Sequence, residues 1–200
     1  MSSGKSRSLM SERARQMVAS VGKAARSVDL SAMDVEAVRR VHDLAMQARV
    51  GLLADDHHPA YLHPGRTALI LLQDVVSVNV SVVILGLLHE STDLKLRPAA
   101  TQIADALGGE VSVSVLTAIP RPGDERLVER LVALGPGSAL AVLAERLDHL
   151  RHLHMRPDLI DTWADTHAEV TSAWLPFAQR THRKLAVRYA HWSRTFVKRI

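Results

Sequence analysis

Residues 77–90 read Ser-Val-Asn-Val-Ser-Val-Val-Ile-Leu-Gly-Leu-Leu-His-Glu, and the reading of this stretch decides the fold class. It is apolar almost all round, and its β-branched residues would also suit a strand. Its length favours a helix buried on every side, so the stretch is assigned as a central buried helix over Ser77–His89. Upstream, Ser31 precedes Val35, Val38, Val41, Leu44, Ala45 and Ala48. That three- and four-residue spacing is one apolar stripe, and Ser31 is a suitable cap for a helix running to about Leu53. Two prolines make Ala54–Pro64 a loop, and Gly65–Val75 reads as a second buried helix.

Downstream the pattern remains helical. Pro98–Leu107 ends at Gly108-Gly109, a good helix stop, and Glu110–Ala118 is a short apolar segment. A turn at Arg121-Pro122-Gly123-Asp124 leads to a helix ending near Leu134. After the break at Gly135-Pro136-Gly137, Ser138 is placed to cap a helix to about His154, and Asp158 opens another to about Ala178. The last helix, Thr181–Ile200, carries Leu185, Tyr189, Trp192 and Phe196 on one side and basic residues on the other. With aromatics at only 4%, the core must be aliphatic. The expected fold is an all-α bundle of about eight to ten helices, one domain in 200 residues.

The formal charge of +4 conceals a division. Residues 1–27 carry +5, residues 180–200 carry +7, and the body between them is −8. The first 27 residues are Ser-rich and weakly patterned, and are expected to form a basic flexible arm with some helix from Glu12 to Ala25. The basic ends read either as solvated faces or as docking surfaces for a polyanion such as nucleic acid. Cysteine is absent, which excludes disulfides, thiolate metal sites and thiol nucleophiles. The N-terminus lacks the apolar core of a secretory signal. The longest apolar run, Val82–Leu88, is far short of the ~18 residues of a membrane span, so the cytoplasm is the expected location.

Eleven histidines stand out. Most suit surface or loop positions, but His63 precedes Pro64 at a helix start, and His89-Glu90 closes the most hydrophobic segment. Glu145 lies between Ala144 and Leu147 in an apolar helix. Polar groups in such places are costly unless paired or bound to a metal. Two imidazoles and two carboxylates without sulfur suit a divalent ion such as manganese, with zinc or iron as alternatives. Ordinary caps and buried hydrogen-bonded groups explain the same residues.

The motif order adds to this. His63-Pro64 with Ala68, then Leu87-Leu88-His89-Glu90, then Ala144-Glu145-Arg146-Leu147-Asp148-His149-Leu150-Arg151 resembles the HD-domain hydrolases of the RelA/SpoT homologue type. Those enzymes remove the 3′ pyrophosphate of guanosine tetra- and pentaphosphate. Between the motifs, Ile103 to Val111 looks like the family's Phe-Gly-X-X-Val segment, and Glu169–Arg180 looks like its later Glu-Thr, Tyr, Pro-Leu-Ala, Arg stretch. The resemblance covers about residues 35–182.

It implies an HD-type domain over residues 28–180 with the basic helix 181–200 packed on it. His63, His89, Glu90 and Glu145 become metal ligands for a divalent ion, manganese foremost. Glu90 and Asp93 are implied in catalysis, Asp93 as a base for the attacking water. Arg146, His149 and Arg151 are implied in binding substrate, a guanosine polyphosphate or related nucleotide. Several positions depart from the family pattern. Glu90 and Glu145 replace Asp, His149 replaces Asn, Leu94 replaces an acid, and Ala54 and Asp55 stand where the family has Arg-Lys. The alternative is therefore a degenerate, non-catalytic HD domain that binds a nucleotide or regulates a partner. Homo-oligomerisation is left open.

Overall fold

The computed structural model describes residues 12–49, 60–107, 113–121 and 123–200, and it is all-α, with no strand among the described residues. Its helices are α1 (Glu12–Arg26), α2 (Ala32–Gln47), α3 (His63–Asp74), α4 (Val80–Leu88), α5 (Ala100–Leu107), α6 (Val113–Ala118) and α7 (Leu127–Ala133). There follow α8 (Pro136–His152), α9 (Trp163–Glu169), α10 (Leu175–Thr181) and α11 (Arg183–Phe196). A π turn at Val170–Trp174 joins α9 and α10 into one continuous helical run.

The stretch that decided the fold class is helical, one turn shorter than expected at its start. Asn79 accepts a hydrogen bond from the Ser81 backbone N–H and so caps α4. Ser31 caps α2 as expected, and Asp34 returns the favour to the Ser31 N–H, completing a capping box. Ser138 does not cap α8. The helix begins two residues earlier, at Pro136, and the Ser138 hydroxyl donates to the Leu134 carbonyl. Gly135 precedes it with φ +87°, a conformation that favours glycine.

The core is built where α3, α4 and α8 pack on one another, with α2 across α4. Leu71, Leu87, Leu88 and Leu143 of these helices are all but fully buried. Helices α3 and α4 approach closely because Gly86 has no side chain. A Cβ at that position would lie 2.6 Å from Leu71 Cδ1.

The described parts of both basic ends pack on this core. Residues 12–26, expected within a flexible arm, form a helix that packs on α2 and α3 through buried Ala14, Val21, Ala24 and Ala25. Small apolar residues spaced along one face offset the unfavourable charge of the other. Residues 1–11, the Ala54–Pro59 part of the expected loop, and Gly108-Gly109 lie outside the described residues.

Helix α11 docks on α8 with two hydrogen bonds to carbonyls of that helix: Tyr189 donates to Leu143 (2.8 Å) and Trp192 Nε1 to Leu150 (2.7 Å). Lys184 and Arg188 also clamp the buried carboxylate of Asp74 at the end of α3. Tyr189→Phe removes one buried hydrogen bond, while the Leu143 carbonyl keeps its bond within α8, so an expected loss of about 0.5–1.5 kcal/mol is measurable by urea unfolding. A loss near zero would mean that the bond contributes nothing to docking.

Candidate metal centre

Three mutually packed helices each deliver part of one buried polar cluster. Helix α3 opens on His63, with Pro64 in the first turn, where its missing N–H costs nothing. Helix α4 ends at His89, whose extended backbone (φ −71°, ψ 138°) turns the chain and leads directly into Glu90. Helix α8 contributes Glu145, Asp148 and His149. Spacings of three and four residues put these on neighbouring positions of one helical face.

His63, Glu90, Glu145 and His149 offer four ligand atoms that all lie within 4.8 Å of one another. His63 Nε2 stands 3.9 Å from Glu90 Oε2 and 3.8 Å from Glu145 Oε1. His149 Nε2 is 3.0 Å from both Glu90 Oε1 and Glu145 Oε1, and its ring stacks on that of His63 at 4.2 Å. Each carboxylate is fixed from behind. The Ser91 N–H and hydroxyl donate to Glu145 at 2.8 Å, and the Thr92 N–H and hydroxyl donate to Glu90 at 3.0 and 2.8 Å.

Hydrogen-bond partners set the tautomers of the two buried imidazoles in opposite senses. Asp148 Oδ2 lies 2.7 Å from His63 Nδ1, so Nδ1 carries the proton and the Nε2 lone pair faces the cluster, buried and without a hydrogen-bond partner. A carboxylate behind a histidine in this way is the usual support for a metal ligand. At His89 the neighbour is the Arg97 guanidinium, 3.2 Å from Nδ1. A guanidinium only donates, so Nδ1 accepts and the proton sits on Nε2, which faces Glu145 Oε2 at 3.8 Å. His149, expected to touch substrate, belongs to the group of four whose ligand atoms lie within 4.8 Å of one another, and His89, expected as a ligand, adjoins that group through Glu145.

The other expected site residues are also placed. Asp93 uses Oδ1 to accept from the Lys95 N–H at the start of a short turn. Arg146 is buried away from the cluster, paired with Glu169 at 3.2 Å and lying over the Trp174 ring. Arg151 lines a groove against α11. Glu145 and His149 occupy one face of α8, and Leu147 and Arg151 are turned about 200° from them. Arg151 is thereby turned away from the cluster, while Arg146, three residues before His149, is engaged by Glu169 and the Trp174 ring. Ala54 and Asp55 lie outside the described residues.

Sequence reading missed two charged neighbours. Arg49, at the end of α2, is fully buried with NH2 3.4 Å from Glu90 Oε2. Asp148 also holds Arg66, whose Nε lies 2.9 and 3.0 Å from its two oxygens.

Burial opposes every charge here, and the partners decide the outcome. Burial lowers His149, but the carboxylates of Glu145 and Glu90 overcome it and raise the ring to about 10. Burial raises Glu145, but His149 and His89 bring it down to about 2, and Glu90 is held well below the usual carboxylate range by His149, His63 and Arg49. Burial alone lowers His42 to about 4, and it takes His89 to about 4 against the pull of Glu145.

No protein-family model, curated protein or solved structure matches the chain.

The donor set fits a divalent cation. It is two imidazole nitrogens and two carboxylates without sulfur, three of the four residues are buried and His149 half-buried, and the unpaired nitrogen of His63 points inward. The His149 imidazolium bridges the two carboxylates. An ion must displace that proton, so its uptake releases acid.

The metal-free protein has a definite pH profile. His149 is protonated in the folded chain up to about 10 and in the unfolded chain only below 6.5. Its contribution is complete below pH 6.5 and lost as the pH rises through 10. His42 and His89, lowered to about 4, act in reverse, so stability falls from pH 6.5 toward 4. The unfolding midpoint is expected to peak near pH 6.5. A midpoint that climbs steadily from there to pH 9 would contradict the bridging imidazolium.

Proposed function

We propose that this chain is a metal-dependent phosphohydrolase of the HD type, acting on a guanosine polyphosphate or related nucleotide and releasing its 3′ pyrophosphate. The observation that carries the reading is the convergence of His63, Glu90 and Glu145. They come from three separate motifs, matched in order, and meet around the unpaired Nε2 of His63. Manganese is the ion this nitrogen and oxygen set favours, with zinc and iron as competitors. An ion held there supplies Lewis acidity toward a phosphoryl oxygen and acidifies water.

The protein's own part is positioning. Asp148 keeps the His63 lone pair turned inward, and Ser91 and Thr92 fix the two carboxylates. Asp93, three residues past Glu90, is the group assigned to take the proton of the attacking water.

A second reading has its own support. Arg49 and His149 already neutralise Glu90 and Glu145, Leu94 stands where the family carries an acid, and Asp93 is engaged in a cap. On this reading the domain binds a nucleotide or a partner without turnover. Pyrophosphate release from guanosine tetraphosphate with added manganese separates the two. Release that is lost in His63→Ala supports hydrolysis, whereas metal-loaded protein without release over a panel of nucleotides supports the binding module.

A further inference from the structure

We propose that the groove between α8 and α11 is a second site, which binds a nucleoside polyphosphate: clustered phosphates joined to a flat apolar ring. The groove encloses about 510 Å³, within the ~300–1,000 Å³ of small-molecule sites. Its charged lining is Arg151 from α8 and Arg188, Arg194 and Arg199 from the last helical segment, with no carboxylate among the lining residues. Arg188 is held by Asp74. Arg151, Arg194 and Arg199 are exposed and have no ion pair among the described residues. Uncompensated guanidinium groups around a concave surface concentrate positive potential there, and their forked donors match phosphate oxygens in pairs.

The floor is apolar. Leu147, Trp192 and Phe196 form it, and the two aromatic rings stack at 4.6 Å with 19° between their planes. Trp192 is also tied to the Leu150 carbonyl, so this floor is rigid. The three floor residues are themselves buried, and the exposed apolar residue of the lining is Val187, at 60%; a ring joined to phosphates would cover Val187 and meet the arginines together, whereas a bare inorganic anion would leave it uncovered. The basic residues converge on a hollow of about one nucleotide's size, which favours a nucleotide over a long nucleic-acid track. Because Leu147 and Arg151 lie on the face of α8 opposite Glu145 and His149, the groove is separate from the metal cluster and the proposal does not rest on hydrolysis.

Calorimetric titration of the full chain with ATP, in the presence of a chelator, tests the proposal. One equivalent is expected to bind. Affinity should fall roughly tenfold or more in Arg194→Glu/Arg199→Glu and in Arg151→Glu, since each removes a charge-assisted contact from an exposed position. Inorganic triphosphate alone and adenosine alone should each bind at least about tenfold more weakly than ATP, and His63→Ala should bind ATP as the parent does. Absence of ATP binding, indifference to the arginine variants, or triphosphate binding as tightly as ATP would overturn it. So would capture of a twelve-nucleotide single-stranded RNA that ATP does not compete away.

Discussion

Glu145→Gln is expected to abolish tight uptake of a divalent ion while leaving the chain folded. The side chain is fully buried, and both of its oxygens are engaged: Oε1 by the Ser91 N–H and His149, Oε2 by the Ser91 hydroxyl. Gln has the same shape, so the packing survives; the charge is lost and one acceptor oxygen becomes an NH2 donor, which the Ser91 hydroxyl can accept by rotating. With it goes one of two anionic ligands. Removal of an outer partner already costs ~10- to 100-fold in metal affinity, and loss of a ligand costs more. The substitution also withdraws the strongest support of the raised His149 pKa, so the alkaline fall in stability should begin at lower pH. Titration with manganese or zinc, alongside pH-dependent unfolding, measures both effects. Unchanged affinity would place the ion elsewhere.

Asp148→Ala is the second large effect, and it falls on stability as well as on binding. Asp148 is buried and receives His63 Nδ1, Arg66 Nε and, at 3.3 Å from its other oxygen, His152 Nδ1. Without the carboxylate, Arg66 and the His63 ring lose their shared acceptor in the interior. Breaking a buried ion pair from one side costs ~3–5 kcal/mol, and the freed His63 ring lowers metal affinity by a further ~10- to 100-fold. Asp148→Asn keeps one acceptor for His63 and should retain more of the affinity. A destabilisation of Asp148→Ala below about 1 kcal/mol, the scale of an exposed pair, would contradict the central role given to this residue.

The helical class was legible because three- and four-residue spacing persists through most of the chain. The stretch 77–90 is continuous enough to bury a helix from all sides. Helix α1 was harder to see. Its four-to-one excess of bases draws attention to the charged face, and the stripe of Ala14, Val21, Ala24 and Ala25 is made of residues too small to announce a core.

Within the site, His63, Glu90 and Glu145 were legible from their places at the ends or in the middle of apolar helices. The exchange between His89 and His149 was not. Adjacency to Glu90 recommends His89, but its tautomer is set by Arg97, which approaches only in the folded chain. For His149 a signal did exist, since it lies four residues after Glu145 and so on the same helical face. Arg49 and Asp148 had none, because their partners lie 41 and 85 residues away.

On the function proposed above, His63, Glu90, Glu145 and His149 together hold one divalent ion. Elemental analysis of the protein after exposure to manganese and removal of excess tests it most directly. One equivalent of metal per chain, lost in His63→Ala and Glu145→Gln but kept in Arg151→Glu, is the predicted result. Metal content near zero in the parent protein, or content that ignores the His63 and Glu145 substitutions, would contradict it.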